Sequence, residues 1–148
     1  MTLTFRLADA GDVPAVVGLL ADDMLGQNRE QGELAVYLAA FAAMQDEGAN
    51  HLIIGEMAGE IVACYQITYI SGLSLSAARR AQIEGVRVAS HLRGQGVGAA
   101  LIHDAEDRAR AAGCGLLQFT TNKARGQAHR FYDRLGFTAS HIGYKKSL

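Results

Sequence analysis

The stretch Arg93-Gly94-Gln95-Gly96-Val97-Gly98 decides the fold, because it joins a predicted strand to a predicted helix. The residues before it, 81–88, are rich in β-branched side chains. The residues after it, 96–112, carry an apolar stripe of helical spacing formed by Val97, Leu101, Ala105, Ala109 and Ala112. Glycines at alternate positions allow a positive φ and a close approach of the backbone to a ligand. The N–H groups at the helix start then suit a pyrophosphate, to which Arg93 could add a charge-assisted contact.

Other interpretations of this turn are possible. The glycines could serve packing alone, and the residues of the turn leave that alternative open. Gly94, Gly96 and Ala99 also satisfy the dinucleotide pattern G-x-G-x-x-A, which requires an acidic residue about 20 positions later, at the end of the next strand. That strand ends in Phe119-Thr120-Thr121-Asn122-Lys123 without an acid, and no Gly-Lys-Ser/Thr of a P-loop follows the turn.

Working outward, the pattern predicts alternating strands and helices along the whole chain. Strands are expected at 4–7, 51–57, 61–70, 81–88, 115–121 and 137–145, and helices after the Asp9–Asp12 cap and at 33–47, 96–112 and 126–135. The order β-α-α-β-β-β-α-β-α-β predicts an α/β (α+β) fold with a mixed sheet and helices on its faces. Without a repeat or linker, residues 1–148 read as a single domain.

Composition narrows the functional classes. The 148 residues are 49% apolar and 20% charged, with a formal net charge of −1, so we expect neither nucleic acid nor an anionic membrane as a partner. No segment approaches the ~20 apolar residues of a membrane span. The N-terminal residues lack the features of a secretory signal, and Cys64 and Cys114 suit free thiols, so a cytoplasmic location is expected. The five histidines show no metal-ligand spacing with nearby acids, so no metal is expected.

Three motifs in this order resemble the GCN5-related N-acetyltransferase (GNAT) superfamily. The signature Gln/Arg-x-x-Gly-x-Gly/Ala is met by the stretch from Arg93 to Gly98, and Val86-Arg87-Val88 gives the Val-x-Val that precedes it. The run Ala128-His129-Arg130-Phe131-Tyr132-Asp133-Arg134-Leu135-Gly136-Phe137 resembles the family's Ala-x-x-Phe-Tyr-x-x-x-Gly-Phe element. The resemblance implies a mostly antiparallel central sheet flanked by helices, and acetyl-CoA as co-substrate.

The resemblance also implies roles for individual residues. Backbone groups of Val86 and Val88 would pair with the pantetheine arm, and Tyr132 would protonate the departing thiolate; Tyr132 as a core aromatic is the alternative. Many relatives carry an asparagine seven residues before this tyrosine, where this sequence has Arg125, so either Asn122 or Arg125 could contact the cofactor, or neither. The pyrophosphate would be held by the amides of Arg93, Gly94, Gln95, Gly96, Val97, Gly98 and Ala99.

Amine acetylation requires a deprotonated amine, and Glu84 is the candidate general base. By the strand period of two, Glu84 should share a face with Val86 and Val88, and relatives that include polyamine acetyltransferases have a glutamate at this position. A water chain could serve instead, and a surface glutamate is the alternative. The backbone N–H of Val88 is the expected donor to the thioester carbonyl.

The acceptor is less constrained. The early helices and the loop from Ser71 to Arg80 are expected to shape acceptor specificity, and they carry Asp22, Asp23, Glu30, Glu33 and Tyr37. These acids could favour a cationic amine, although solvated helix faces give the same pattern. His141 and Tyr144 could line the acceptor pocket. The expected function is acetyl transfer to a primary amine of a small molecule. Acetylation of a protein N-terminus or lysine, and a CoA-binding regulatory module without turnover, are the alternatives. The resemblance makes a homodimer plausible.

Overall fold

Five strands form one sheet in the order in which they occur along the chain. They are β1 (Leu3–Leu7), β2 (Asn50–Met57), β3 (Glu60–Ile70), β4 (Arg80–Val88) and β5 (Leu116–Gln118). Neighbours from β1 to β4 pair antiparallel, and β5 pairs parallel with β4. The mixed, mostly antiparallel sheet expected from the sequence is therefore confirmed.

The structure is a computed structural model that describes residues 2–22 and 32–148. The chain divides into two compact units, Met1–Gln118 and Phe119–Leu148, and the first unit contains the whole sheet. Two acids predicted to face the acceptor, Asp23 and Glu30, lie outside the described residues. In the part of the chain that is described, no helix is long and apolar enough to cross a membrane.

A short helical segment at Ser74–Ala77 was not predicted. Four predicted helices are present, the last three with both ends within one residue of the prediction. They are α1 (Val13–Ala21), α2 (Leu34–Asp46), α3 (Val97–Ala111) and α4 (Gly126–Arg134). The predicted cap forms before α1, where the Asp9 side chain accepts from the Gly11 N–H and Asp12 accepts from the Asp9 N–H. Pro14 lies in the first turn of α1, where the missing N–H has no intrahelical partner to lose.

The β2–β3 hairpin has a two-residue loop, because Met57 pairs directly with Glu60. The loop residues Ala58 and Gly59 both have positive φ, 52° and 78°. This is the geometry of a primed turn, whose twist matches that of the flanking strands.

Both faces of the sheet are partly buried. The first, here called the α3 face, carries Tyr65, Ile67 and Ile83, and α3 contacts β3 and β4. The opposite side, here called the α1 face, carries Ile54 and Cys64, which form a buried cluster with Val16 of α1. The predicted stripe of α3 is confirmed for its first four members and only partly buried at the fifth; the buried residues are Val97, Leu101, Ile102, Ala105 and Ala109.

Two predicted β segments differ from the structure. Strand β5 has three residues, Leu116–Gln118, instead of the seven expected at 115–121. The segment 137–145 was predicted as a strand, but the structure has no strand there. Two of its backbone donors are used locally, since the Phe137 N–H donates to the Tyr132 carbonyl and the Ser140 N–H to the Thr138 carbonyl. The side-chain alternation is present without a ladder partner among the described residues, so it forms no sheet.

Candidate active site

A β-bulge interrupts β4 at Gly85. Glu84 pairs with Gln66 and Arg87 pairs with Cys64, so three steps along β4 correspond to two steps along β3. Gly85 has a φ of 59°, a left-handed conformation that glycine adopts without strain. A bulge adds one residue to one strand and therefore exchanges the faces of every side chain beyond it.

The bulge corrects the predicted arrangement of the candidate base. Gln66 and Cys64 lie two residues apart on β3, so their partners Glu84 and Arg87 share the α1 face. Val88 pairs with Ala63 and therefore lies on the opposite face. The prediction that Glu84 shares a face with Val86 and Val88 was wrong for Val88, because the bulge breaks the period of two between Glu84 and Val88.

Beyond the bulge, one edge of β4 has no paired strand among the described residues of the first unit. Pairing with β5 covers only Arg80 to Gln82. On the other side, the Ala89 N–H donates to the Val62 carbonyl at 2.8 Å, and Ala63 pairs with Val88. Hydrogen-bonded and non-hydrogen-bonded pairs alternate in an antiparallel ladder, so the N–H and C=O of Val88 point away from β3. This edge can accept an extended ligand as an additional strand.

The glycine-rich turn leads directly into α3. Gly94 and Gly96 have φ values of 78° and 85°, and Gly96 is the N-cap residue directly before α3. A Cβ built on either glycine meets nothing within 4 Å, so open space lies beside both. The first N–H groups of a helix have no intrahelical acceptor and carry a partial positive charge. The turn thus offers backbone N–H donors at the helix start, and open space beside Gly94 and Gly96, for an anionic ligand.

The polar side chains of the turn have partners within the protein. One guanidinium N–H of Arg93 donates to the Asp22 carbonyl at the end of α1, at 3.1 Å. The Gln95 amide donates to the His91 carbonyl at 3.1 Å. Both side chains are exposed. The contact of Arg93 with a phosphate therefore remains a prediction, and it would use the guanidinium N–H groups not directed at Asp22.

Glu84 is exposed and is held by a chain of amides that the sequence analysis did not single out. The Gln82 amide nitrogen lies 3.1 Å from Glu84 Oε1, and the Gln118 amide nitrogen lies 3.0 Å from Gln82 Oε1. Gln82 stands two residues before Glu84 and therefore on the same face, a spacing that could have identified it. Gln118 pairs with Gln82 across the parallel strands, which only the register reveals.

The α3 face carries a different polar network, formed by Tyr65, Asp104 and Arg108. The fully buried Tyr65 hydroxyl donates to Asp104 Oδ2 at 2.6 Å, and Arg108 Nε donates to the same oxygen at 2.8 Å. Desolvation by burial, followed by the hydrogen bond to Asp104, raises the pKa of Tyr65 far above its ordinary value. This network joins β3 to α3.

Cys64 packs on the α1 face and is a poor nucleophile. Burial raises the pKa of its thiol to about 12, so the reactive thiolate is scarce at neutral pH. Its Sγ lies 3.6 Å from the Gly85 carbonyl, which places it beneath the bulge. Cys114 is partly buried, and neither cysteine forms a disulfide.

The second unit contains Tyr132, which stands in an aromatic cluster. Its ring centroid lies 4.3 Å from that of Phe119 and 5.3 Å from that of Phe131, and Phe137 completes the cluster. Tyr132 is only partly buried. Packing and a catalytic hydroxyl are compatible in this setting, since a tyrosine can bury its ring and expose its polar end.

The two candidates for an additional cofactor contact lie at the start of α4. Asn122 Oδ1 accepts from the Ala124 N–H at 2.9 Å, and the Asn122 carbonyl lies 3.0 Å from His129 Nε2. The Asn122 side chain thus forms a local turn, whereas Arg125 is the residue preceding the helix and is partly buried. His141 and Tyr144 are both exposed. The contacts of these four residues with a ligand remain predictions.

Comparison with known proteins identifies the family. The family model described as acetyltransferase (GNAT) family matches residues 17–137. This chain belongs to the GNAT family. The matched region includes the bulged strand, the glycine-rich turn and the Phe131-Tyr132 element, so the resemblance drawn from three motifs is confirmed.

Individual relatives extend this result. A relative named aminoalkylphosphonate N-acetyltransferase, from Salmonella typhimurium, is 42% identical over 67 residues, which are 45% of this chain and 44% of that protein. The chain thus covers less than half the length of this relative. A Bacillus halodurans C-125 structure described as a transcriptional regulator is 43% identical, with a TM-score of 0.94 over 99% of this chain and 100% of that one. A Trypanosoma brucei acetyltransferase is 25% identical, with a TM-score of 0.80 over 99% of this chain and 100% of that one.

Proposed function

We propose that this GNAT protein transfers the acetyl group of acetyl-CoA to a primary amine of a small molecule by direct attack. The observation that carries the proposal is the open edge of β4, followed along the chain by the glycine-rich turn at the start of α3. Val86 and Val88 would pair with an extended arm, while the turn at Gly94 and Gly96 would bind phosphates. Acetyl-CoA has both an extended pantetheine arm and a pyrophosphate, and its thioester supplies the acetyl group.

The chain's own groups would perform the proton transfers. A free alkyl ammonium has a pKa of about 10.4, so the acceptor must lose a proton before it attacks. Glu84, exposed beside the bulge, would accept this proton directly or through a water molecule. The outward Val88 N–H would donate to the thioester carbonyl, as an oxyanion contact does. Tyr132 would donate its hydroxyl proton to the departing sulfur.

The acceptor proposal favours a small molecule. The relative from Salmonella typhimurium bears a name that specifies an aminoalkylphosphonate, and the aligned identity of 42% makes short amines the first class to test. Acetylation of a protein N-terminus or a lysine is the alternative, and a homodimer is a further possibility that assembly measurements would test. Glu84, on the α1 face, could accept a proton from any of these acceptors.

A second candidate function is a CoA-binding regulator without turnover. The relative from Bacillus halodurans, described as a transcriptional regulator, matches almost the whole chain at 43% identity. Against this candidate, the net charge of −1 gives no electrostatic attraction for nucleic acid. The candidate base Glu84 and the candidate acid Tyr132 are also both present.

Release of the CoA thiol in the presence of an amine panel would test the proposal. The panel contains 2-aminoethylphosphonate, a diamine, a lysine peptide and a peptide with N-terminal alanine, and calorimetry compares acetyl-CoA with NAD. We expect acetyl-CoA binding, no NAD binding, and turnover that is fastest with a small amine. Binding without turnover on any amine would favour the regulator, and preferential NAD binding would contradict both candidates.

A matched pair of glycine variants would locate the phosphates. Gly96→Val and Gly113→Val place the same side chain at left-handed positions, φ 85° and 79°, at the two ends of α3, and both have open space around them. Each variant should suffer similar backbone strain. Only Gly96→Val should weaken acetyl-CoA binding beyond its effect on stability. Equal affinities in the two folded variants would show that the pyrophosphate lies elsewhere.

A further inference from the structure

The amide chain beside Glu84 has a defined direction. An ionised carboxylate only accepts hydrogen bonds, so Gln82 must present its NH₂ group to Glu84 Oε1, at 3.1 Å. The Gln82 carbonyl oxygen then faces the neighbouring strand, where the Gln118 NH₂ group donates to it at 3.0 Å. The charge of Glu84 thus fixes the orientation of both amides, and the three residues form one chain of donors that ends on the carboxylate.

We propose that Gln82, supported by Gln118, is a positioning residue that holds Oε1 of Glu84 and so directs Oε2 at the acceptor amine. The inference rests on the proposed function, in which Glu84 removes a proton from the acceptor. Among the described residues, Gln82 is the one side chain that hydrogen-bonds the Glu84 carboxylate. An exposed glutamate without such a bond samples several rotamers, and fixing it reduces the entropy lost when the acceptor binds.

The location of the two amides, Gln82 and Gln118, supports a role in positioning Glu84 rather than in strand pairing alone. Gln82 and Gln118 are the last residue pair of β4 and β5, directly before the edge of β4 becomes open. Gly85 follows Glu84 and turns the strand at the bulge, which separates the face of Glu84 from that of Val88. The amides therefore anchor Glu84 where the strand changes direction.

A second amide network on the same face supplies a control. Gln66 and the Thr68 hydroxyl both donate to Asn50 Oδ1, at 2.8 and 3.3 Å, and Asn50 donates to Glu47. Thr68 pairs with Gln82 across the strands but makes its bond in the other direction. Thr68→Val is nearly isosteric, removes a hydroxyl beside Gln82 and leaves the chain to Glu84 intact.

Rates measured against pH would test the proposal in four variants. Gln82→Met keeps the side-chain length and removes the donor, Gln118→Met removes the support, and Thr68→Val and Glu84→Gln complete the set. The probe is the amine of the panel above that reacts fastest. For Gln82→Met we expect kcat/KM to fall by about tenfold near pH 7, the effect of one lost hydrogen bond to a charged group. The loss should appear in kcat, because Gln82 positions the base for proton transfer and is not proposed to bind acetyl-CoA.

The other variants distinguish a positioning role of Gln82 from a purely structural role. Gln118→Met should lower kcat/KM by less than Gln82→Met does, and Thr68→Val should leave kcat/KM unchanged. The KM for acetyl-CoA should stay constant in all of them. A wild-type profile for Gln82→Met, beside a reduced rate for Glu84→Gln, would overturn this inference and leave the proposed function standing. If Gln82→Met does not fold, a wild-type profile for Gln118→Met overturns it. Absence of turnover with every amine would overturn both, since no base would then be needed.

Discussion

Two networks of side-chain hydrogen bonds lie on opposite faces of the same sheet, and the donors of each network lead to a carboxylate. On the α3 face, the buried Tyr65 hydroxyl and Arg108 donate to Asp104. On the α1 face, the partly exposed amides of Gln118 and Gln82 lead to the exposed Glu84. The first carboxylate is satisfied by the protein and joins a strand to a helix. Among the described residues, the second receives one bond, from Gln82 to Glu84 Oε1, which leaves Oε2 for another proton donor. Asp104, which accepts from a buried hydroxyl, is therefore expected to stabilise the fold. The exposed Glu84 is the candidate for chemistry.

The largest expected effect is on the rate of the Glu84→Gln variant. The amide keeps the shape and removes the basicity, so kcat/KM should fall by about 10²–10⁴-fold at neutral pH, as for a lost general base. The rate should recover as the pH approaches the pKa of the acceptor amine, because solvent then removes the proton. The free energy of unfolding should change little. A wild-type pH profile would show that a water chain or desolvation activates the amine.

The Asp104→Ala variant should show the opposite pattern. Removal of the Asp104 carboxylate leaves the buried Tyr65 hydroxyl without its acceptor, which should lower the free energy of unfolding by about 2 kcal/mol. The kcat/KM per folded molecule should stay close to that of the wild type. Asp107→Ala is the matched control on α3, since Asp107 is exposed and its 3.4 Å pair with Arg110 should contribute well below 1 kcal/mol. Equal stabilities in urea would refute the structural role of Asp104.

Removal of the Tyr65 hydroxyl should have a smaller effect on stability. Tyr65→Phe removes the donor but leaves Asp104 bonded to Arg108, so we expect a loss of about 1 kcal/mol. Tyr69→Phe serves as the control, because its ring contact with Arg79, at 5.7 Å, does not require the hydroxyl. A Tyr65→Phe variant as stable as the control would mean that the 2.6 Å bond adds nothing beyond packing.

The smallest expected effect is a difference in alkaline stability. The pKa of Tyr65 is raised in the folded protein, so the fold holds the phenol proton more tightly than the unfolded chain, where the pKa is about 10. The contribution is present below pH ~10 and is lost as the pH rises further toward the folded pKa. Between pH 10 and 11, the free energy of unfolding of the wild type should fall more steeply than that of Tyr65→Phe. Parallel pH dependences would contradict the assigned burial.

Local chemistry made most of the fold predictable. The glycines that end or begin helices, such as Gly96 and Gly136, adopt the left-handed conformation that only their missing Cβ makes easy. The hairpin loop at Ala58-Gly59 and the cap at Asp9 depend on neighbouring residues in the same way. Features that depend on short-range spacing were therefore accessible from the sequence.

The parts of the site that depend on strand pairing were not accessible in this way. The bulge at Gly85 arises from the register between β3 and β4, so the period of two wrongly predicted that Glu84 shares a face with Val88. The contact between Gln118 and Gln82 likewise requires the parallel register. The segment 137–145 has strand-like alternation, yet a strand forms only where another backbone supplies the ladder.

The strand order also determines which part of the sheet opens most easily. Each antiparallel pair from β1 to β4 joins strands that are consecutive along the chain, and β2 and β3 pair along eight residues. The parallel pair of β4 and β5 has only three residue pairs and encloses all of α3, so its closure fixes a longer loop for fewer bonds. We expect the amides of Leu116–Gln118 to exchange with deuterated solvent sooner than those of β2 and β3. Each such opening would release Gln82 from Gln118 while the rest of the sheet stays folded.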